Sequence, residues 1–215
     1  MSAVFGRAMR AQFSLREDGS FLNHGSYGAC PRVVAAEQAR LRAEMESHPD
    51  AFMARMYPDR DIREPRRVAQ QLAGITGTTG DRIALVENAT TGVQAVLNSL
   101  PFGPGDHILI TDHQYNAVRL GVEARCRDAG ATPVVVRIPL PTTADEIVER
   151  VLAAADDRVR LVVLDHITSP SALVLPVERL IPELRRRGIP VLLDGAHAIG
   201  QLPLQLDALG ADWYV

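Results

Sequence analysis

The sequence predicts an α/β fold in which helices cover a mainly parallel β-sheet. Three observations carry this prediction: short continuous apolar runs recur along the chain, amphipathic helical stretches lie between them, and glycines follow several of those stretches. Strands buried on both faces of a parallel sheet are apolar throughout, whereas strands with one solvated face alternate. Apolar strands that alternate with helices are typical of βαβ units.

The first part of the chain is predicted to be a lead-in followed by two helices. Residues 1–20 have the pattern of a loosely held lead-in, and Pro31 opens a helix that ends near His48. Proline suits a first helical turn because the amide hydrogen that it lacks would have no partner there. A loop at residues 57–59 (Tyr-Pro-Asp) and a second helix through about Ala73 are predicted to follow.

The rest of the chain alternates between the two kinds of element. The predicted strands are 83–86, 108–110, 134–138, 161–164, 191–193 and a run that starts at residue 213. The predicted helices are 91–100, 116–129, 143–155 and 177–187. Gly130 and Gly188 follow two of these helices, and glycine ends a helix at low cost because it tolerates a left-handed backbone. The pattern does not predict the order of the strands.

Composition excludes several classes of protein. The chain has 215 residues, of which 47% are hydrophobic, which is enough for one sizeable core or one domain plus part of another. A net charge of -3 gives no reason to expect a nucleic-acid or membrane-surface partner. No apolar stretch approaches the length of a membrane-spanning helix. Cys30 and Cys126 imply no disulfide framework and fit a reducing cytoplasm.

The chain contains no lysine, since all 23 Lys+Arg residues are arginine. Arginine stays protonated and cannot act as the amine of a Schiff base. The sequence therefore excludes lysine-based covalent catalysis by any residue of this chain.

Polar and aromatic residues follow four of the predicted strands. These segments are 87–91, 111–115, 165–169 and 194–197. In open α/β sheets, ligands bind beyond the carboxyl ends of the strands, and all four segments are expected to lie at that edge. The sequence therefore predicts a ligand site at one edge of the sheet.

Two of these segments have a specific chemical use. Asn88 to Thr91 lie where a helix begins, so backbone N–H groups and two threonine hydroxyls favour an anion there; ordinary N-capping by Asn88 or Thr90 is the alternative. Asp194 follows three apolar residues, where a carboxylate is costly unless a cation or a donor meets it. A protonated pyridine nitrogen would meet it, and His197 could reach the same ligand. The alternative is that Asp194 caps the next helix.

A metal site is a further alternative. Acidic and histidine residues occur together at three of the predicted strand ends, and such groups can ligate metals. This pattern leaves a metal-dependent hydrolase open. The pairs are Asp112/His113, Asp165/His166 and Asp194/His197.

Taken together, five segments resemble the class V aminotransferase family of pyridoxal-phosphate (PLP) enzymes, and most resemble its isopenicillin N epimerase-like branch. In chain order they are FLNHGSYGACP, ENATTGVQAVL, DHQYNAV, DHITSPSALVLP and LLDGAHAIGQLPL, and they span about residues 21–215. The resemblance implies the large domain of an aspartate aminotransferase-like PLP-dependent transferase, with a mainly parallel sheet that is incomplete here. It implies that residues 1–60 contribute to a small domain and the substrate side, and that residues 61–215 bind PLP.

The resemblance also implies roles for individual residues, with PLP as cofactor and an amino acid as substrate. Thr90 and Thr91 match the phosphate-binding turn, and Asp194 matches the residue that pairs with the pyridine nitrogen. Tyr115 matches the position that stacks on the cofactor ring, with His113 as an alternative. The positions near the phenolic oxygen are Ser169 and His197. The positions on the substrate side are Asn23, His24 and Ser26, and a solvent-exposed turn is the alternative for His24.

The sequence departs from the family at its covalent chemistry. In the family, a lysine beyond the Trp-Tyr-Val strand forms the Schiff base, and no such lysine occurs here. No catalytic residue is therefore predicted, and we expect a fragment or split-gene half of an epimerase-like, aminotransferase-like or carbon–sulfur-lyase-like enzyme. A non-catalytic PLP-binding or partner-subunit module is the alternative. The intact protein is expected to be a homodimer, because the family's active sites form at a dimer interface.

Overall fold

The computed structural model describes residues 6–56 and 64–215, apart from the side chains of residues 25 and 26. It divides into two compact units, Met1–Arg67 and Val68–Val215. The predicted loop at residues 57–59 and the first five residues of the predicted lead-in lie outside the described residues.

The first unit is helical in its described part. A 3₁₀ helix covers Gly6–Gln12, in place of part of the predicted irregular lead-in. The α-helices that follow are α1 (His24–Tyr27), α2 (Arg32–Ser47) and α3 (Pro49–Ala54). Pro31 occupies the N-cap position of α2, one residue before the first turn in which it was predicted. The sequence pattern did not predict the short helices α1 and α3. None of the residues described in this unit belongs to the buried core.

The remaining elements build the α/β unit. The helices are α4 (Glu64–Thr76), α5 (Ala89–Ser99), α6 (Asn116–Ala129), α7 (Ala144–Ala154), α8 (Val177–Arg186) and α9 (Leu206–Leu209). The strands are β1 (His107–Thr111), β2 (Thr132–Val136), β3 (Val159–Asp165), β4 (Val191–Asp194) and β5 (Trp213–Tyr214). A glycine with positive φ follows α6 and lies just beyond α8, as the stop signals predict.

The five strands form one parallel sheet in the order β2-β1-β3-β4-β5, which confirms the predicted fold class. The chain proceeds from β1 to β2 in one direction and from β3 to β5 in the other. The order therefore reverses between β1 and β3, and ligands of open α/β sheets bind at such a switch point, beyond the carboxyl ends of the strands.

Each face of the sheet packs on its own helices. Leu193 belongs to the core that contains α7 and α8, whereas Val163 and Leu192 belong to the core that contains α5 and α6. Side chains two positions apart on a strand share a face. Asp165 and Asp194, two residues after Val163 and Leu192, therefore lie on the face that α5 and α6 cover.

The prediction of a strand at 83–86 is wrong. This segment is extended but joins no strand of the sheet among the described residues, and Leu85 and Val86 are each 49% exposed. An apolar run becomes a strand only where a neighbouring strand completes its backbone hydrogen bonds, and the pattern alone does not reveal that neighbour. Only three of the four predicted strand ends are therefore strand ends.

Across the described ranges, none of the helices combines the length and the apolar character that crossing a lipid bilayer requires.

Candidate functional site

Three strands end next to one another at the switch point. β1, β3 and β4 lead into the polar segments 112–115, 166–169 and 195–197, which therefore lie along one edge of the sheet. The fourth predicted segment, 87–91, is the connection that enters α5. This edge brings together most of the residues that the sequence singles out in the second unit.

Two buried carboxyl groups lie side by side at this edge. Asp165 and Asp194 are register partners at the ends of β3 and β4, so their side chains project from the same face of the sheet. Asp165 is 2% exposed and Asp194 is 5% exposed. Neighbouring parallel strands are about 4.8 Å apart, so the two carboxyl groups feel each other's charge.

Gln114 spans the switch point. Its Nε2 atom donates a hydrogen bond of 2.6 Å to Oδ1 of Asp165, which ties the loop after β1 to the end of β3. The backbone N–H of Tyr115 also donates to the Asp165 carboxyl group. Oδ2 of Asp165 and Oε1 of Gln114 are buried and have no hydrogen-bond partner among the described residues. Buried polar atoms without partners mark a place where a ligand group could complete the site.

The two carboxyl groups differ in how easily they ionise. Burial, and after it the nearby Asp194 carboxylate, raises the pKa of Asp165 to about 8. Burial also raises the pKa of Asp194, but the N–H of Ala196, which donates to its Oδ1 at 3.0 Å, and the nearby His197 oppose that rise. The alternative that Asp194 caps a helix is wrong, because a turn follows it.

Tyr214 and His166 pack on each other beside this edge, with Tyr214 against the core that contains α7 and α8. The hydroxyl group of Tyr214 lies 3.1 Å from Nδ1 of His166, and the two rings pack edge to face. Burial lowers the pKa of His166, which keeps its ring neutral, and raises the pKa of Tyr214, with Asp194 adding to that rise. This pair therefore adds no charge near the two carboxyl groups.

The start of α5 offers a place for an anion. Oδ1 of Asn88 accepts the backbone N–H of Thr91 at 2.8 Å, so the capping alternative is confirmed for Asn88. The cap satisfies one of the N–H groups that the first turn leaves without intrahelical partners. The hydroxyl groups of half-buried Thr90 and exposed Thr91 have no hydrogen-bond partner among the described residues. Capping and anion binding are therefore compatible here.

The side chains of Tyr115 and His113 differ in how exposed they are and in the hydrogen bonds that they make. Tyr115 precedes α6 and its side chain is 45% exposed. Nε2 of His113 lies 2.8 Å from the Ile138 carbonyl oxygen, and Nδ1 lies 2.6 Å from Oγ of Ser171. Because a carbonyl only accepts, Nε2 carries the hydrogen and Nδ1 accepts from the Ser171 hydroxyl. Both ring nitrogens of His113 are thus committed within the protein.

Ser169 lies half-buried in the loop that this network holds. Oγ1 of Thr168 lies 2.7 Å from Oγ of Ser171 and accepts the N–H of Leu173 at 2.9 Å. Sequence reasoning singles out Ser169, whereas Thr168 and Ser171 make the contacts that fix the loop.

The predicted substrate-side residues belong to the first unit. His24 is exposed, its ring packs edge to face on Phe21 at a centroid distance of 4.9 Å, and its Nδ1 accepts the N–H of Ala29. Asn23 precedes α1. The side chain of Ser26 lies outside the described residues. The substrate-side roles of these three residues stay predictions.

The acid–histidine pairs do not assemble a metal centre in the described part of the chain, where no group of three or more ligand-type side chains could hold a metal ion. Oδ1 of Asp112 lies 3.7 Å from Nε2 of His113, but it accepts the N–H of Ile138 at 2.9 Å. His166 faces Tyr214 instead. The metal-dependent alternative therefore gains no support from this geometry.

Sequence reasoning assigned neither Gln114 nor Asp165 to the PLP site, although it named Asp165 with His166 as a possible metal-ligating pair. A signal for Asp165 was present, because it follows the apolar run 161–164 in the same way as Asp194 follows 191–193. The cost of burying a carboxylate applies equally to both. Nothing in the local sequence marks Gln114, whose role depends on the contact across the switch point.

A concavity of about 290 Å³ lies at the opposite edge of the sheet, where β3 begins. Asp156 and Arg187, which line it, are occupied by the fold: Asp156 accepts from Arg158, and Arg187 donates to the carbonyl oxygens of Leu152 and Ala155. The concavity therefore gives no support for a ligand site, and Arg187, the C-cap of α8, has a structural role.

Comparison with known proteins gives a consistent result. The family described as aminotransferase class-V matches residues 23–215. The isopenicillin N epimerase of Amycolatopsis lactamdurans is 36% identical over 95% of this chain and 51% of its own length. An L-cysteine desulfhydrase of Arabidopsis thaliana is 30% identical over 90% of this chain and 45% of its own length.

Solved structures show the same fold. The cystine C-S lyase C-DES, in complex with cysteine persulfide, superposes with a TM-score of 0.79 at 25% identity, over 91% of this chain and 52% of its own. A C-DES variant with glycine covalently linked to its PLP cofactor also has a TM-score of 0.79, at 24% identity. The chain thus spans about half the length of the relatives that it matches.

Proposed function

Because the chain belongs to the class-V aminotransferase family, we propose that it supplies the non-covalent part of a PLP site in a protein that acts on an amino acid. The observation that carries the proposal is the burial of the Asp194 carboxyl group. This group is only 5% exposed, at the ligand-binding edge of the sheet, on the face that α5 covers. A buried carboxylate needs a cationic or hydrogen-bonding partner, and a protonated ring nitrogen provides both.

The chain offers complementary groups for each part of the cofactor. The first turn of α5, with the hydroxyl groups of Thr90 and Thr91, binds the phosphate through N–H and O–H donors. Asp194 accepts a hydrogen bond from the ring nitrogen and holds its proton there. His197 and Ser169 would hold the cofactor on the side of its phenolic oxygen. When bound, PLP supplies an electron sink for charge that develops on the substrate's alpha carbon.

Tyr115 is the better candidate to stack on the cofactor ring. The Tyr115 side chain is 45% exposed at the start of α6, whereas the His113 side chain is only 13% exposed. An exposed aromatic ring gains the most contact area from stacking. This supports the assignment of Tyr115 over His113.

The substrate class follows from the relatives. An isopenicillin N epimerase is 36% identical to this chain and an L-cysteine desulfhydrase 30% identical, and a cystine C-S lyase shares its fold. They support epimerisation or carbon–sulfur cleavage of an amino-acid substrate, with Asn23, His24 and Ser26 on the substrate side. We extend the proposal to a homodimer for the whole protein. The two unpaired cysteines support a reducing, cytoplasmic compartment.

A second candidate is a non-catalytic module that binds PLP or serves as a partner subunit. One observation favours it, namely that none of the 215 residues is lysine. No side chain of this chain can therefore hold the cofactor covalently. Under either candidate function, the residues of the proposed site bind and orient the cofactor without forming a covalent bond to it.

Comparing two ligands tests the phosphate part of the proposal. PLP and pyridoxal, which lacks the phosphate, are titrated separately into the purified chain and followed by absorbance. PLP is expected to bind more tightly, and a Thr90→Val/Thr91→Val variant is expected to lose affinity for PLP but not for pyridoxal. Equal affinity for both ligands, or equal losses in the variant, would overturn the assignment of α5 as the phosphate site.

A further inference from the structure

We propose that Asp165 keeps its proton at neutral pH and acts as a positioning residue that confines the negative charge of the carboxyl pair to Asp194. This proposal rests on the proposed PLP site, because it assigns the charge that faces the ring nitrogen. It concerns a residue that the sequence pattern named only as half of a possible metal-ligating pair with His166.

The geometry of the pair carries the inference. Asp165 and Asp194 are register partners on adjacent parallel strands and are 2% and 5% exposed. Two carboxylates held this close, away from water, repel each other, so that one of them retains a proton. Such a pair shares one negative charge across the pH range between its two titration steps.

The donors around the pair decide which member keeps the proton. Oδ1 of Asp194 accepts the N–H of Ala196 at 3.0 Å, and His197 lies near enough to favour its ionised form. Asp165 accepts from Gln114 and from the N–H of Tyr115, but its buried Oδ2 has no hydrogen-bond partner among the described residues. An ionised Asp165 would therefore keep one charged oxygen unsolvated.

The other titratable groups around the pair do not reverse this assignment. Burial keeps His166 neutral, and its Nδ1 faces the Tyr214 hydroxyl, whose own ionisation is suppressed by burial and by Asp194. Glu178, on α8, favours the charged form of His166 but is not among the groups that act on Asp165. The pKa of Asp165, raised to about 8, agrees with the geometry.

A single charge suits the ligand. A protonated ring nitrogen carries one positive charge, and a pair with one negative charge neutralises it without leaving a second charge buried. The hydrogen bond from Gln114 holds the neutral carboxyl in place beside Asp194. Asp165 then acts on the cofactor only through Asp194.

Carboxyl NMR of the full chain, labelled with ¹³C at the aspartate Cγ, tests the protonation directly. One aspartate is expected to titrate near pH 8, and its resonance should vanish in Asp165→Asn. Removing the neighbouring charge in Asp194→Asn should lower the midpoint of that resonance by about one pH unit or more. Asp212→Asn is the control, because Asp212 accepts the N–H of Val191 away from the pair and should leave the midpoint unchanged.

PLP binding at neutral pH supplies the second readout. Asp194→Asn should bind PLP at least about tenfold more weakly than the parent chain, because it removes the charge that faces the ring nitrogen. A resonance that persists in Asp165→Asn, or an Asp165 that titrates below about pH 5, would overturn the proposal. If Asp165 titrates as expected but the parent chain binds no PLP, the proposed function fails while the protonation of Asp165 stands. If Asp165→Asn does not fold, the lowered titration midpoint in Asp194→Asn tests the proposal instead, and an unchanged midpoint would overturn it.

Discussion

The ring of Tyr214 packs so closely against Gly195 that a Cβ atom built on Gly195 would lie 2.1 Å from Cε1 of that ring. This contact explains the glycine that follows Asp194, since any side chain there would displace the Tyr214 ring. Gly195→Ala is expected to lower the free energy of unfolding by about 1–3 kcal/mol, the usual cost of overpacking. Urea unfolding followed by the fluorescence of Trp213 measures the change.

Gly74→Ala is the matched control for this prediction. Gly74 lies inside α4, and a Cβ atom built on it meets nothing within 4 Å. Alanine should therefore raise the free energy of unfolding by about 0.5–1 kcal/mol, because it favours the helix. If Gly195→Ala were as harmless as Gly74→Ala, the close packing of Tyr214 on Gly195 would be wrong.

Stability should fall as pH rises through the titration of Asp165. Its pKa is near 4 in the unfolded chain and about 8 when folded, so between these values the folded protein holds a proton that the unfolded chain has lost. The free energy of unfolding therefore decreases with rising pH, by at most about 1.4 kcal/mol per pH unit for one group, and levels off above about pH 8.

Asp165→Asn should make this decline shallower. Asp194, whose pKa burial also raises, keeps a slope of the same sign in the variant. Urea midpoints measured from about pH 5 to 9 compare the two proteins. Parallel pH profiles for the parent and Asp165→Asn would show that Asp165 does not carry the proton.

The N-cap of α5 gives a prediction about stability and binding together. Asn88→Ala removes the acceptor for the Thr91 N–H and should cost about 1 kcal/mol of unfolding free energy. It should also weaken PLP binding, because the first turn of α5 loses its order. Asn88→Ser retains a capping oxygen and should restore both properties. A serine variant that is no better than alanine would argue against the cap as the cause.

Ser171 holds the loop that carries Ser169. Ser171→Ala leaves Nδ1 of His113 without its donor and is expected to cost about 1–3 kcal/mol, the penalty for a polar atom that loses its partner away from water. Ser169→Ala is the matched control, because no hydrogen bond of its side chain occurs among the described residues. Thermal unfolding compares the stability of the two variants. Similar losses of stability in both would contradict the role of the Ser171 hydrogen bonds.

The sequence was sufficient wherever one local pattern decides the structure. The short apolar runs within β1, β3 and β4 are buried as strands, as the pattern predicts, and Gly130 ends α6 with a φ of +72°. The same reasoning failed at 83–86, because pairing depends on a neighbouring strand that the run itself does not encode. The short helices α3 and α9 were missed because a single turn or two has no periodicity to detect.

In the candidate site, too, the sequence predicts what depends on local properties and misses what depends on contacts between distant segments. Asp194 and the start of α5 could be predicted because burial cost and helix ends are local properties. The pairing of Asp165 with Asp194 depends on the register of β3 and β4, and the bond from Gln114 depends on the strand order at the switch point. Neither the register nor the strand order can be inferred from the residues of one segment alone.

The most direct test of the account is the affinity of the purified chain for PLP, measured by absorbance titration in the parent and in Asp194→Asn, with Asp212→Asn as control. The account predicts saturable binding that Asp194→Asn weakens at least about tenfold and that Asp212→Asn leaves unchanged. Because the chain has no lysine, borohydride should fix no cofactor to a side chain. Absence of saturable binding in the parent, or equal affinity in the parent and Asp194→Asn, would contradict it.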